Sequence, residues 1–186
     1  MTAVDGRVIR GERNREAIAD ALLACYEDGI LNPSIPEVAA RAGVSARSVH
    51  NHFDDVEALR GEVARRQWER YAHFVDAVPR ERMIDKRAAL YERITPVRRA
   101  ALLQVHESPT VAEYLDRIEK LSRRLIEEAY PEATPDQLTA LDMALSWDVW
   151  NRLRQTQGCS VARAKRILAL IVEGILEGSA HERHPS

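Results

Sequence analysis

The side chains with the most distinctive chemistry lie close together, between residues 47 and 51. Arg47 and Asn51 are spaced i and i+4, so on an α-helix they project from the same face. An arginine can bond bidentately to guanine O6 and N7, and an asparagine to adenine N6 and N7. Ser48 and His50 border that face and can reach phosphates or base edges. The chemistry is that of a nucleic-acid contact, although an ordinary solvated helix face carries the same residue types.

This face requires a short helix whose other side is buried. At about 100° per residue, Val49 and Phe53 lie close together on the side opposite Arg47 and Asn51. Ser45 has the side chain of a helix N-cap. The pattern therefore predicts a short helix that begins after Ser45 and packs Val49 and Phe53 against a core.

A second short helix is predicted immediately upstream. Ser34 and Glu37 have capping-box spacing, Pro36 falls in the first turn, and Gly43 suits the left-handed residue that ends many helices. A helix, a glycine-containing turn and a helix form the pattern of a helix-turn-helix, whose second helix enters the major groove of DNA. The predicted DNA-binding residues are Ser34, Ser45, Ala46, Arg47, Ser48, His50 and Asn51.

A longer helix is predicted over about 12–27, because apolar residues recur there at i, i+3, i+4 and i+7. These residues are Ile18, Ala21, Leu22 and Cys25. Cys25 is therefore expected to pack in the core.

The residues before that helix lack apolar periodicity and carry Arg7 and Arg10. With Arg13 and Arg15 they form a basic cluster. A flexible arm is expected here, which either contacts phosphates or the minor groove or is a solvated terminus.

After Phe53, Asp54 or Asp55 is placed to cap a fourth helix. Its apolar pattern continues to about Val78, and Pro79 is expected to end it.

Residues 17–59 resemble the N-terminal domain of the tetracycline-repressor (TetR) family of bacterial transcriptional regulators. The matching segments are ACYEDGI, SIPEVAARAGVS and SVHNHFDDVEAL, in the family's order and spacing. The resemblance implies a homodimer that binds a palindromic double-stranded DNA operator, most often as a repressor. It also implies that a small-molecule effector releases the operator by changing the spacing of the two DNA-binding heads. The identity of the effector is unknown.

Three residues depart from the family's pattern. His50 stands where the family prefers a tyrosine that commonly touches a phosphate, and Val56 stands where a lysine usually contacts the DNA backbone. Arg47 replaces a frequent glycine. Losing the lysine weakens non-specific affinity, which depends on neutralised phosphates, while Arg47 offers a compensating contact.

The composition of the chain limits the possible fold class, partners and location. The 186 residues are 45% hydrophobic and only 5% aromatic, which favours an all-α protein with a sizeable core. A formal net charge of −2 gives no support for nucleic-acid binding. The prediction of DNA binding therefore depends on where the basic residues lie. The two cysteines lack metal spacing, and the longest apolar run, Ile167 to Val172, is too short to span a membrane. We expect a cytoplasmic protein with no metal, no cofactor and no membrane partner.

Five further helices are predicted, over about 81–94, 96–106, 108–130, 134–158 and 160–178. The chain is accordingly divided into a helix-turn-helix DNA-binding domain at 1–56 and a helical ligand-binding and dimerisation domain at 57–186.

The last predicted helix is apolar on two adjacent stripes, so it must bury more than one face. Gly174 and Gly178 would allow another helix to approach closely. A two-fold dimer interface explains this pattern, and the alternative is a helix central to its own protomer. The predicted interface residues are Leu145, Val149, Ile167, Ile171, Gly174, Ile175 and Gly178.

Aromatic and polar residues of the middle helices form a candidate effector pocket, although each can equally be ordinary core. They are Trp68, Tyr71, Tyr91, His106, Tyr114, Met143, Trp147 and Trp150. The chain has no Gly-rich phosphate loop, G-x-S-x-G or H-E-x-x-H motif, so an enzyme is not expected. The alternative function is a DNA-binding protein that is architectural or regulated by a partner rather than by a ligand.

Overall fold

A computed structural model of the chain describes residues 6–71 and 76–182. Over these residues the regular structure is helical and contains no β-strand. The predicted all-α fold is therefore confirmed.

The chain divides into two compact units. The N-terminal unit comprises Met1–Arg70 and Pro96–Asp116, and the C-terminal unit comprises Tyr71–Thr95 and Arg117–Ser186. The domain boundary predicted between residues 56 and 57 stays a prediction.

The N-terminal unit begins with three helices, α1 (Gly6–Glu27), α2 (Ile35–Ala42) and α3 (Ala46–His52), which contact one another pairwise. Helix α4 (Val56–Tyr71) follows. One apolar cluster joins the four helices, and its members include Ile18, Leu22, Val38, Val49, Phe53, Leu59 and Val63. Cys25 is buried as expected.

Helix α1 starts earlier than predicted. The chain is helical from Gly6, six residues before the expected start at about residue 12, so Arg7 and Arg10 belong to the first turns of a helix. Residues 1–5 of the predicted arm lie outside the described residues. Residues 7–11 were misassigned because their two large apolar residues, Val8 and Ile9, are adjacent and so show no helical period.

Asp55 resolves the choice of cap for α4, since its carboxylate accepts a hydrogen bond from the Ala58 amide at 2.7 Å. The helix is described as far as Tyr71. Its predicted extension through Phe74 falls in 72–75, outside the described residues.

Helix α5 (Arg80–Gln104) corrects the prediction of two helices separated before Pro96. Pro96 lies inside this continuous helix. Immediately before it, the Thr95 hydroxyl donates a hydrogen bond at 2.6 Å to the Tyr91 carbonyl, which lies one turn earlier. A proline removes one backbone hydrogen bond and bends a helix, but here it does not end the helix.

The predicted helix over 134–158 is also corrected. It is divided into α7 (Pro135–Ala144), α8 (Trp147–Asn151) and a π-helical turn (Arg152–Thr156). The break follows from Ser146, whose hydroxyl accepts a hydrogen bond from the Val149 amide at 3.3 Å and so begins a new helix.

The remaining helices begin where their caps predict. Helix α6 (Pro109–Ala129) starts after Ser108, and α9 (Val161–Glu182) starts after Ser160, whose hydroxyl accepts from the Arg163 amide at 3.2 Å. Two apolar clusters form the core of the C-terminal unit. They include Tyr91, Trp147, Trp150 and Leu168 in one, and Met83, Ile126, Tyr130, Leu141 and Leu145 in the other. No helix in the described ranges is both long enough and apolar enough to cross a bilayer.

Candidate nucleic-acid interface

The cap of α2 is a complete capping box. The Ser34 hydroxyl accepts from the Glu37 amide at 3.4 Å, and the Glu37 carboxylate accepts from the Ser34 amide at 2.7 Å. The Ser34 hydroxyl also donates to that carboxylate at 2.6 Å. These hydrogen bonds from the Ser34 side chain and backbone lower the pKa of Glu37. The exposed Ser34 hydroxyl is therefore already engaged, with an ionised carboxylate beside it.

The turn between the two short helices has the predicted geometry. Gly43 ends α2 at φ 68°, a left-handed conformation that favours glycine. Ser45 then caps α3, because its hydroxyl accepts from the Ser48 amide at 3.1 Å. This sequence of caps sets where α3 begins and hence which of its side chains face outward.

Helix α3 separates a buried side from an exposed one. Val49 and Phe53 are each only 2% exposed. Arg47, His50 and Asn51 are exposed. Ala46 and Ser48 are half-buried between the two sides. The structure thus brings the predicted base-reading residues together on one accessible face.

Arg15 of α1 holds the end of α3 in place. Its guanidinium donates to the His52 carbonyl at 2.7 Å and lies 4.4 Å from the centre of the Phe53 ring. A cation at this position satisfies a carbonyl at the end of the helix, where the helix dipole is negative. Arg15 was grouped with the basic arm in the sequence-based prediction. The structure instead makes it a positioning residue for α3.

The aromatic candidates of the C-terminal unit fill its core. Tyr91 donates from its hydroxyl to the Leu145 carbonyl at 2.8 Å, and Trp147 donates from Nε1 to Thr95 Oγ1 at 3.1 Å. Trp150, which is 1% exposed, donates to a Glu92 carboxylate oxygen at 2.9 Å. In this conformation these groups pack against protein atoms.

The other pocket candidates are dispersed. Met143 is 69% exposed and His106 is exposed. Trp68 and Tyr71 are half-buried on α4, and Tyr114 lines a small cavity inside the N-terminal unit.

The candidate interface residues of α9 are divided between core and surface. Ile171 is 38% exposed, and Gly174 and Gly178 are exposed with no atoms within 4 Å of an added Cβ. The neighbouring Leu170, which is not among the predicted interface residues, is 68% exposed. Ile167 and Ile175 of α9 are half-buried against the protomer core, as is the candidate Val149 of α8.

Leu145 is a correction to the predicted interface, because it is fully buried and packs in the protomer's own apolar cluster. The apolar pattern of its segment does not distinguish burial against a partner from burial in the same chain. Its carbonyl is occupied too, by bonds from Tyr91 and from the Arg87 guanidinium at 2.8 Å.

No protein-family model and no curated protein matches the sequence. Several solved structures are similar in fold, including the following two. The first is of a protein from Mesorhizobium loti MAFF303099 assigned to the TetR family of transcriptional regulators, with a TM-score of 0.64 and 20% identity over 90% of this chain and 96% of that chain. The second, a transcriptional regulator from Rhodococcus sp. Rha1, has a TM-score of 0.67 with the same identity and coverage. The fold implied by the resemblance in residues 17–59 is therefore confirmed for most of the chain.

Proposed function

We propose that the protein is a homodimeric transcriptional regulator that binds a palindromic DNA operator through α3 and is released from it by a small-molecule effector. The observation that carries this proposal is the exposed face of α3. Arg47, His50 and Asn51 project together there, on a helix fixed by Ser45 at one end and by Arg15 at the other.

The residues of this face are suited to two kinds of contact, with bases and with phosphates. Arg47 and Asn51 can each make a bidentate contact with a purine in the major groove. Ser48 and His50 serve phosphates or neighbouring base edges, whereas the Ala46 side chain packs against the apolar cluster of the N-terminal unit. With a net charge of −2 over the chain, affinity rests on these local contacts rather than on a basic surface.

Dimerisation is proposed through α9. Leu170 and Ile171 are exposed apolar residues beside Gly174, where a helix from a second copy can approach closely. A depression of about 400 Å³ next to them is lined by Ile167 and Leu170. Two copies related by a two-fold axis would present two α3 helices to half-sites about 34 Å apart.

Repression and effector release complete the proposal. An effector acts only by binding the DNA-incompetent conformation more tightly, with a typical coupling of about 1–3 kcal/mol. We also propose a cytoplasmic location, since a regulator must reach its chromosomal operator. A ligand-independent DNA-binding protein is the second candidate, and the filled core around Tyr91, Trp147 and Trp150 favours it.

Selection of bound sequences from a random double-stranded DNA library, at about 0.15 M salt, tests the proposal. We expect a palindromic motif. Arg47→Ala should weaken binding to that motif by roughly 5- to 150-fold, since a bidentate base contact contributes about 1–3 kcal/mol. Arg124→Ala, which removes the same charge from an exposed position on α6, is the matched control.

Two results would count against the proposal. Folded, dimeric protein that enriches no sequence would refute sequence-specific binding. If Arg47→Ala and Arg124→Ala bound the selected motif equally well, α3 would not be the reading helix.

A further inference from the structure

We propose that the exposed face of α9 pairs antiparallel with the same face of a second copy, so that Arg163 meets the partner's Glu177 and Arg166 meets the partner's Glu173. The inference deepens the proposed function, and it rests on the homodimer proposed there. It adds the direction of the two helices, their register and the charged pairs that fix both.

The exposed face of α9 has an apolar residue at its centre and charges toward both ends. Leu170, at the centre, is 68% exposed. Arg163 and Arg166 lie before it, Glu173 and Glu177 lie after it, and all four are exposed. At about 100° per residue, the five positions fall within roughly 80° of one another, on the side of the helix away from the protomer core. The face is therefore divided into a basic half and an acidic half.

This order of charges is unfavourable in a single protomer. Arg163 stands in the first turn of α9, where the helix dipole is positive, and that turn holds no acidic residue. Glu173 and Glu177 are spaced i and i+4, so their carboxylates repel each other. Over the described residues, none of the four charged side chains of this face forms an ion pair, whereas Lys165 on another side of the helix is paired with Asp85 at 2.5 Å. The protomer by itself therefore offers this face no opposite charge.

A second copy in the antiparallel orientation supplies the opposite charges. Leu170 is seven positions from both Arg163 and Glu177, which is about 10.5 Å along the axis in either direction. When two copies of α9 cross at Leu170 in opposite directions, Arg163 lies opposite the partner's Glu177. Arg166 then lies within about 1.5 Å, along the axis, of the partner's Glu173. Two-fold symmetry repeats each pair, so ion pairs flank a central contact between the two leucines on both sides.

The same pattern of charges identifies the partner as a second copy of this chain. A two-fold interface must be complementary to itself, and a face with cations before Leu170 and carboxylates after it meets this requirement when one copy is reversed. Two parallel helices would place Arg163 opposite the partner's Arg163, and such like-charge contacts are costly. A depression of about 400 Å³ lined by Arg163, Arg166 and Leu170 leaves space for the partner's Leu170.

A variant in which the four charges are exchanged tests the direction of the helices. It carries Arg163→Glu, Arg166→Glu, Glu173→Arg and Glu177→Arg, and is called the exchanged variant. In the antiparallel arrangement it stays complementary to itself but repels wild type. We therefore expect it to form homodimers as wild type does. Its mixed dimer with wild type should be roughly 10- to 100-fold weaker than either homodimer, because every ion pair of the face becomes a repulsion.

Native mass spectrometry of wild type mixed with the ¹⁵N-labelled exchanged variant, without DNA, measures the share of mixed dimers. The matched control carries Arg124→Glu and Glu128→Arg, an exchange of charges at two exposed positions of α6, and should form mixed dimers with wild type at the statistical share. Raising the ammonium acetate concentration from about 0.05 M to about 0.5 M should weaken the discrimination, because it shortens the Debye length. The exchanged variant should melt no lower than wild type, since glutamates near the start of α9 suit the helix dipole.

Three results would overturn the inference. Mixed dimers in excess of the statistical share would show that the helices run parallel. Mixed dimers at the statistical share would place this face outside the interface, and a wild-type protein that stays monomeric would remove the dimer itself. Failure of the proposed function is distinguishable from these results. A protein that excludes mixed dimers as predicted but enriches no DNA sequence would defeat sequence-specific binding and leave the α9 pairing intact, whereas operator enrichment by dimers that mix statistically would defeat only the pairing.

Discussion

Arg15→Ala tests whether α1 fixes the position of α3, the proposed recognition helix. The substitution removes the hydrogen bond to the His52 carbonyl and the contact with the Phe53 ring. A charge-assisted hydrogen bond contributes about 1.5–3 kcal/mol and an exposed cation–π contact about 0.5–1 kcal/mol. Because Arg15 is exposed, solvent screening places the combined loss nearer about 1–2 kcal/mol.

Urea denaturation followed by circular dichroism measures this loss as a lower midpoint at an unchanged slope. Arg13→Ala, which removes an exposed arginine two positions away on the same helix, is the control and should change the unfolding free energy by less than about 0.5 kcal/mol. Arg15→Lys keeps the charge but loses the planar group, so it should recover only part of the loss.

Operator affinity distinguishes positioning from simple stabilisation. At a temperature where both proteins are fully folded, Arg15→Ala should still weaken operator binding, because α3 loses a restraint at its end. A double-mutant cycle with Phe53→Leu should show a coupling of about 0.5–1 kcal/mol. If Arg15→Ala had the same unfolding free energy as wild type and the double-mutant cycle were additive, Arg15 would not position α3, and the role assigned to this contact would be wrong.

Two further predictions concern α9 and α4. The Cβ of Gly174→Ala would meet no atom within 4 Å, so the substitution should stabilise the isolated protomer by up to about 1 kcal/mol. It should also shift the dimer toward monomer in sedimentation equilibrium. A dimer as tight as that of wild type would exclude close helix packing at this position. Hydrogen bonds and charge from Arg65 and Arg66 lower the pKa of Glu62 to about 2. Since that pKa is depressed, the stabilisation is complete above about pH 4.5 and is lost as the pH falls toward about 2. Unfolding free energies from urea denaturation should therefore be about 1–3 kcal/mol higher for wild type than for Glu62→Gln at pH 6. The difference should shrink at pH 3, and a constant difference would refute the assignment.

The helix-turn-helix was predictable because its determinants are local. The bonds of Ser34 with Glu37 and of Ser45 with Ser48 span three residues each, and the conformation of Gly43 is a property of one residue. Short-range caps can be recognised from the sequence alone, because they do not depend on distant contacts. The exposed face of α3 followed directly from them.

Features that depend on distant contacts were missed. The bond from Arg15 to His52 spans 37 positions, and no local spacing relates the two residues. Leu145 continues an apolar helical pattern, which looks the same whether a partner or the protomer buries it. Two helix boundaries failed for other reasons. Pro96 is tolerated within α5, and the local cap at Ser146 was overlooked because it falls within a continuous apolar pattern.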